Sequence, residues 1–177
     1  MARVERKYLA HFLDANCNLD ADNPTKPSGT AALNYVRIGQ DLEAFAEELN
    51  PQVEIRKNIL GDQTVIHNGY EVQSSVEPFY AEEGNALYEQ LQKISNERLN
   101  GDECRTTRVE AYFTLGLAGK LECKWAYRED CWIVPQSFGG DTSGVQIPFQ
   151  VLNCGNRVKG TMEKQSDGAW KFTKVEE

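Results

Sequence analysis

From Thr107 onward the chain alternates apolar and polar residues with a period of two, and no other feature limits its fold as tightly. Thr107, Val109, Ala111, Phe113 and Leu115 alternate with Arg108, Glu110 and Tyr112. Leu121, Cys123, Trp125 and Tyr127 alternate with Lys120, Glu122, Lys124 and Arg128. Successive side chains of a strand point to opposite faces, so this pattern dictates strands with one face on a core. Turn residues punctuate the runs: Gly116 and Gly119, then Glu129-Asp130, then Gly139-Gly140-Asp141. Between and beyond them lie Cys131–Ser137 and an inward face of Val145, Ile147, Phe149 and Val151. Val158–Met162 and Trp170–Val175, joined across Asp167-Gly168, read as a closing hairpin. Strands at roughly ten-residue spacing with Gly/Asp turns predict a sandwich or barrel.

The first half adds shorter strands and one helix. Tyr8–Leu13 is strand-like and runs into a turn-rich stretch, Asp14 to Ala32, holding Pro24, Pro27 and Gly29. A polar connection of that length is usually functional or mobile. Asn34–Ile38 is a second strand, Asp41–Leu49 reads equally as strand or helical turn, and Pro51 closes it. Val53, Ile55 and Ile59 alternate with Gln52, Glu54, Arg56 and Asn58, and Gly61-Asp62 separates them from Val65-Ile66-His67. Tyr70, Val72, Ser74 and Val76 then face a core, with Glu71, Gln73, Ser75 and Glu77 opposite. The single helix spans about 85–99. Asn85 caps it, Leu87, Leu91, Ile94 and Arg98 form a narrow stripe, and Asn100-Gly101 stops it.

Composition narrows function more than fold. The 177 residues fit one domain, 1–177, with an N-terminal segment, long loops at about 16–32 and 51–63, and a C-terminal arm, Lys171–Glu177. Nineteen Lys+Arg against 27 Asp+Glu give a net charge of -8. That balance disfavours gripping nucleic acid, which requires cations to displace phosphate counterions. Five dispersed cysteines without a CxxC pair fit reduced, buried thiols. No signal peptide and no membrane-spanning run is read from the sequence.

Catalytic motifs do not emerge. The two histidines, His11 and His67, lack metal-ligand spacing, so no metal or other cofactor is expected. Gly139–Gly144 is glycine-rich but lacks a P-loop lysine and a following helix, so it reads as a hairpin turn. The adjacent acids Glu82/Glu83 and Glu129/Asp130 read as a helix start and a turn. The expectation is that the chain is not an enzyme. Charge is unevenly spread, however: Asp41, Glu43, Glu47, Glu48 and Glu54 come without a base between them, and Glu71 and Glu77 follow. Such a surface either keeps the protein soluble or repels an anion.

Ordered motifs across the chain resemble one family. Tyr35-Val36-Arg37-Ile38-Gly39, Glu48-Leu49-Asn50-Pro51, Lys57–Gly61, Gly69-Tyr70-Glu71-Val72 and Glu77-Pro78-Phe79-Tyr80 lead into the helix as in the major tail proteins of long-tailed bacteriophages. Gly139–Gly144, Gln146-Ile147-Pro148-Phe149 and Gly155–Thr161 continue the likeness, which is nearest to siphophages of Gram-positive hosts. The resemblance implies a virion protein, synthesised in the host cytoplasm, with a β-sandwich or barrel-like tail tube fold and one flanking helix. It implies self-assembly into hexameric rings stacked as the tube that conducts DNA, with tape measure, terminator and distal tail proteins as partners and no membrane. If each subunit gives four strands, about 24 strands spaced about 4.8 Å and tilted about 40° close a barrel roughly 48 Å across.

On that reading the polar strand face lines the lumen, with Glu54, Glu71, Gln73, Ser75 and Glu77 as candidates, so that DNA slides without specific binding. Ring stacking falls to the two long loops, through Asn18, Asp20, Lys26, Asn58, Leu60 and Asp62. The alternative is a monomeric barrel or sandwich that binds a small ligand among Trp125, Tyr127, Trp132 and Phe149.

Overall fold

The computed structural model describes residues 4–17, 33–39, 42, 44–116 and 119–175. Eleven strands and one α-helix follow in order: β1 (Leu9–Asp14), β2 (Tyr35–Ile38), β3 (Pro51–Lys57), β4 (Gln63–Tyr70), β5 (Gln73–Val76), α1 (Ala86–Glu97), β6 (Arg105–Leu115), β7 (Leu121–Pro135), β8 (Gly139–Asp141), β9 (Gly144–Gln146), β10 (Phe149–Lys164) and β11 (Trp170–Lys174). Seven form one antiparallel sheet, ordered β11-β10-β7-β6-β1-β2, with β5 beside the first part of β10. The β3–β4 and β8–β9 hairpins stand apart as two-stranded ribbons. The protein is mainly β with a curled sheet and one helix, as the alternation predicts.

Curling follows from contacts between opposite ends of the sheet. Phe12 on β1 and Trp170 on β11 bring their rings to 4.8 Å, although three strands lie between them in the sheet order. Only a sheet bent around that face allows this. The concave side therefore holds one core: Ala10, Phe12, Tyr35, Val109, Ala111, Phe113, Ala126 and Met162, with Trp170 and Phe172 against them. Gly160 fits there because a Cβ would fall 2.4 Å from both the Phe172 ring and the Thr173 carbonyl.

The convex side carries a second core. Leu13, Val76, Cys131, Ile133, Phe149 and Val151 lie beneath Leu87 and Leu91 of α1. The apolar stripe forms as the 3.6-residue repeat requires: Leu87, Leu91 and Ile94 are buried and the opposite face is wet. Asn85 accepts hydrogen bonds from the Leu87 and Tyr88 amides, and Arg98 ends the helix in the left-handed conformation.

Several boundaries differ from the sequence reading. Glu129-Asp130 is not a turn but the middle of the 15-residue β7, where both acids are buried. Adjacent residues point to opposite faces, and each acid meets an arginine there, Glu129 with Arg157 and Asp130 with Arg105. Val145–Val151 is not one strand either: β9 ends at Gln146 and β10 begins at Phe149. β10 then runs unbroken to Lys164, through a bulge at Gly155 and Asn156 that have positive φ. Tyr70–Val76 divides between β4 and β5. The described part of 41–49 is neither strand nor helix, though Glu48 makes an isolated bridge to Gln73.

Candidate assembly surface

The β3–β4 hairpin departs most from a self-sufficient fold. Every β3 residue is exposed. Val53 lies opposite His67 and Ile55 opposite Val65, so these four side chains share one face. Val53, Ile55 and Val65 are each at least half exposed. His67 and Tyr70 meet edge to face at 4.6 Å near the base. A lone two-stranded hairpin is marginally stable in water, and an apolar ribbon face normally has something packed on it. Pro51–Gln63, expected as a loop, is thus the outgoing strand and tip of this arm. Alternation sets a strand here as firmly as in the body, but none of the described elements lays a second layer over it.

The tip is ordered by its own side chains. The Asn58 amide oxygen accepts from the Leu60 and Asp62 amides at 3.0 and 2.9 Å, and Asn58 Nδ2 donates to Asp62 Oδ2 at 2.9 Å. The Asn58 amide donates to the Asp62 carbonyl, and Gly61 has φ of 88°. Two stacking candidates, Asn58 and Asp62, therefore build the turn, and the third, Leu60, is what the turn presents. Ile59 is 102% exposed and Leu60 82%. Asn18, Asp20 and Lys26 lie outside the described residues.

The lumen candidates fall in two places. Gln73 and Ser75 lie on one face of β5, and Glu77 follows it on the same period, while Ser74 and Val76 turn under α1. Register extends that face across β10, β7 and β6: Ser75 to Gln150 to Val134, and Gln73 to Leu152 to Trp132 to Arg105. These residues are half-buried or exposed, an uncovered four-stranded strip. Gln73 Nε2 also donates to Glu48 Oε2 at 3.2 Å. Glu71 is exposed just before β5. Glu54 lies away from this strip, on the hairpin, paired with Arg56 at 2.8 Å.

A charged cluster that the sequence reading missed sits on the convex face, between the helix-covered core and the outer aromatics. His11, Arg108, Glu110 and Glu129 come together there by register on β1, β6 and β7. Glu47 caps them, forming an ion pair with Arg108 and lying 3.4 Å from His11 Nδ1. Arg157 bridges Glu110 and Glu129 at 3.0 and 2.9 Å. Despite the penalty of burial, its hydrogen bonds to the two carboxylates hold its guanidinium above the usual arginine range. Burial, with the Arg108 and Arg6 charges nearby, pushes His11 down to about 3, so it is neutral at ordinary pH. The only sequence signal was indirect: charged residues at alternate positions in strands whose other face is apolar. Arg157 also covers Tyr127, and Tyr127, Trp125 and Tyr112 continue as a ring ladder.

The four aromatics proposed to line a ligand pocket are dispersed. Phe149 is in the convex core, Trp125 and Tyr127 point away from the concave core, and Trp132 donates to the Gly101 carbonyl at 3.1 Å. Trp132 also borders a groove of about 690 Å³ between the end of α1, the 3-10 turn Gly101–Cys104 and the Ile133–Phe138 stretch. All five cysteines are free thiols, and burial raises Cys131 well above the usual range. Among the described residues no group of three His, Cys, Asp or Glu is placed to hold a metal ion. No helix among them is long and apolar enough to cross a membrane.

No protein-family model matches the chain, and no curated protein matches it. One solved structure, described as the "Cryo-EM structure of the anti-feeding prophage cap (AFP tube terminating cap)", is similar over 91% of this chain and 93% of that one. Its TM-score is 0.46 at 8% identity.

Proposed function

We propose that the chain is a structural subunit of a phage-type tail, assembling as stacked hexameric rings into a tube that conducts DNA. The observation that carries this reading is the projecting hairpin, whose apolar face is at least half exposed and whose tip is more exposed still. A monomer gains nothing from holding those side chains in water, whereas a subunit uses them to bind a neighbour. The ordered sequence resemblance supplies the kind of assembly.

The uncovered strip of β5, β10, β7 and β6 suits a lumen wall, with one face under α1 and the other wet. On this reading Gln73, Ser75 and Glu77 line the channel, Glu71 borders it, and Glu54 belongs to the hairpin contact. Six copies at -8 each carry roughly -48, a field that repels phosphate. Tape measure, terminator and distal tail proteins would meet the tube at its ends and interior.

Negative-stain microscopy and sedimentation of the purified protein across a concentration series test the assembly. Rings or tubes with a central channel are expected. A persistent 20.0 kDa species that takes up a small ligand would favour the monomeric alternative. The lumen assignment has its own test in Glu71→Lys with Glu77→Lys. Tubes should still form, but they should retain duplex DNA at low salt and release it as salt rises. Tubes of that variant that ignore DNA would place these carboxylates elsewhere.

A further inference from the structure

We infer that residues 44–50 form a strap across the charged seam, that the Glu47–Arg108 ion pair is its catch, and that the closed strap sets the aim of the β3–β4 arm. The consequence for assembly rests on the reading above; the catch itself does not. Side chains of the strap alternate although it is neither strand nor helix: Phe45 and Glu47 are half-buried, while Ala44, Ala46 and Glu48 are exposed. Phe45 lays its ring 4.6 Å from that of His11, and Glu47 pairs with Arg108.

The catch is a single buried ion pair. Among the described residues Glu47 is the one ion-pair partner of Arg108, because Arg157 takes Glu110 and Glu129. A guanidinium keeps its charge at every ordinary pH, so losing the Glu47 carboxylate leaves Arg108 buried without a counterion. Water relieves that charge if the strap lifts, and lifting it opens no sheet. No strand pairing involves residues 44–47, and Arg6 Nη2 donates to the Phe45 carbonyl only at 3.4 Å. A groove of about 680 Å³ already lies among Glu47, Leu49, Tyr70, Glu110 and Arg157.

The strap runs straight into the arm. Glu48 and Gln73 exchange main-chain hydrogen bonds at 2.8 and 3.1 Å, Asn50 Nδ2 donates to the Glu71 carbonyl at 3.1 Å, and β3 starts at Pro51. These bonds tie the outgoing stem of the arm to its return stem. The return stem is held on the body by main chain, through β5 on β10 and the Asn153 amide on the Val72 carbonyl at 3.0 Å. The outgoing stem is held by the side chains of Phe45 and Glu47. Releasing the catch therefore leaves the arm to pivot on β5.

His11 reports the catch from inside. It faces Glu47 on the strap, Arg108 and Glu110 on β6, and Arg6 on the N-terminal turn, with Glu129 and Arg157 completing the seam. Removing a nearby carboxylate by itself lowers a histidine pKa, whereas admitting water raises it. Glu47→Gln thus separates a closed strap from an open one by sign. NMR titration of the unassembled protein follows His11, with the exposed His67 as reference. In the parent His11 should titrate at about 3. In Glu47→Gln its midpoint should climb to ~5 or above, toward the ordinary value. Amide relaxation should show Asn58–Asp62 gaining nanosecond mobility while β6 and β7 keep the parent's values. Tubes should need at least ~10-fold more protein to form. Should Glu47→Gln not fold, Glu47→Asp keeps the charge one methylene short and should move His11 in the same direction by less.

A His11 midpoint at or below the parent's would mean a shut strap and overturn the catch. A raised midpoint with a tip as rigid as the parent's would overturn its hold on the arm. Loosening of β6 and β7 to the same degree would make Glu47 an ordinary core support and overturn both. If the parent assembles at no concentration, the assembly reading falls, and titration and relaxation still decide the catch.

Discussion

The core beneath α1 and the β3–β4 hairpin use the same kinds of residue to opposite ends. In the body, Val76 stands opposite Phe149 and Val151 opposite Ile133, and all four vanish under Leu87 and Leu91. In the hairpin, Val53, Ile55 and Val65 stand in an equally regular register and remain in water. Strand pairing is alike in both; what differs is the second layer. The body supplies its own in the form of a helix, and for the hairpin none of the described elements does so; the proposed assembly would supply it from another chain. A subunit divided in this way keeps its folding free energy separate from its assembly free energy.

The largest expected effect tests the first half of that contrast. Leu91 is fully buried against the convex core, so Leu91→Ala loses both its transfer free energy and the packing around the cavity. A loss of about 4 kcal/mol is expected, read as a lower denaturant midpoint at unchanged slope. A loss under about 1 kcal/mol would mean that α1 contributes little to the body.

An intermediate effect probes how the body seals its polar seam. His11 is buried beside Glu47, Arg108, Glu110 and Arg6, and its folded-state value near 3 lies below the ordinary 6.5. Between those two values the unfolded chain binds more protons than the folded one. His11 therefore supports stability above pH 6.5, and that contribution is lost as pH falls toward 3. Stability should drop by up to roughly 1.4 kcal/mol per pH unit below 6.5. His11→Asn should flatten the slope between pH 5 and 6.5, where carboxylates scarcely titrate. An identical slope in the variant would remove His11 as its source.

The seam also shows where sequence reasoning stops. Elements set by local chemistry were legible: the Asn85 cap, the Leu87/Leu91/Ile94 stripe, the Gly168 turn and the alternating strands all follow from short-range rules. Glu129-Asp130 was not legible, because two adjacent acids look like a turn until Arg157 and Arg105 arrive from distant sequence. The bulge at Gly155-Asn156 likewise separates nothing, since Asn156 Nδ2 donates to Asp130 Oδ2 and holds β10 in place. Of the candidate site, alternation put Val53 and Ile55 on one face and Leu60 was named only as a loop candidate, whereas the exposure of that face was not legible. Period two states which residues share a face and is silent on what covers it.

The smallest expected effect on stability is the most informative about the hairpin. Ile55→Thr with Val65→Thr keeps β-branched shape and strand preference while removing apolar surface from the open face. Because those side chains are more than half exposed in the subunit, monomer unfolding should change by less than about 0.5 kcal/mol. On the proposed assembly the protein concentration needed for rings or tubes should nonetheless rise, since that assembly buries the same side chains between copies. Sedimentation and denaturant melts on one preparation give both numbers. If instead the double variant melts as an ordinary core mutant does, the hairpin folds back onto its own subunit in solution. The division between a closed body and an open arm would then be lost. A change confined to assembly would place the apolar face where the contrast predicts, outside the folding core and inside the contact between subunits.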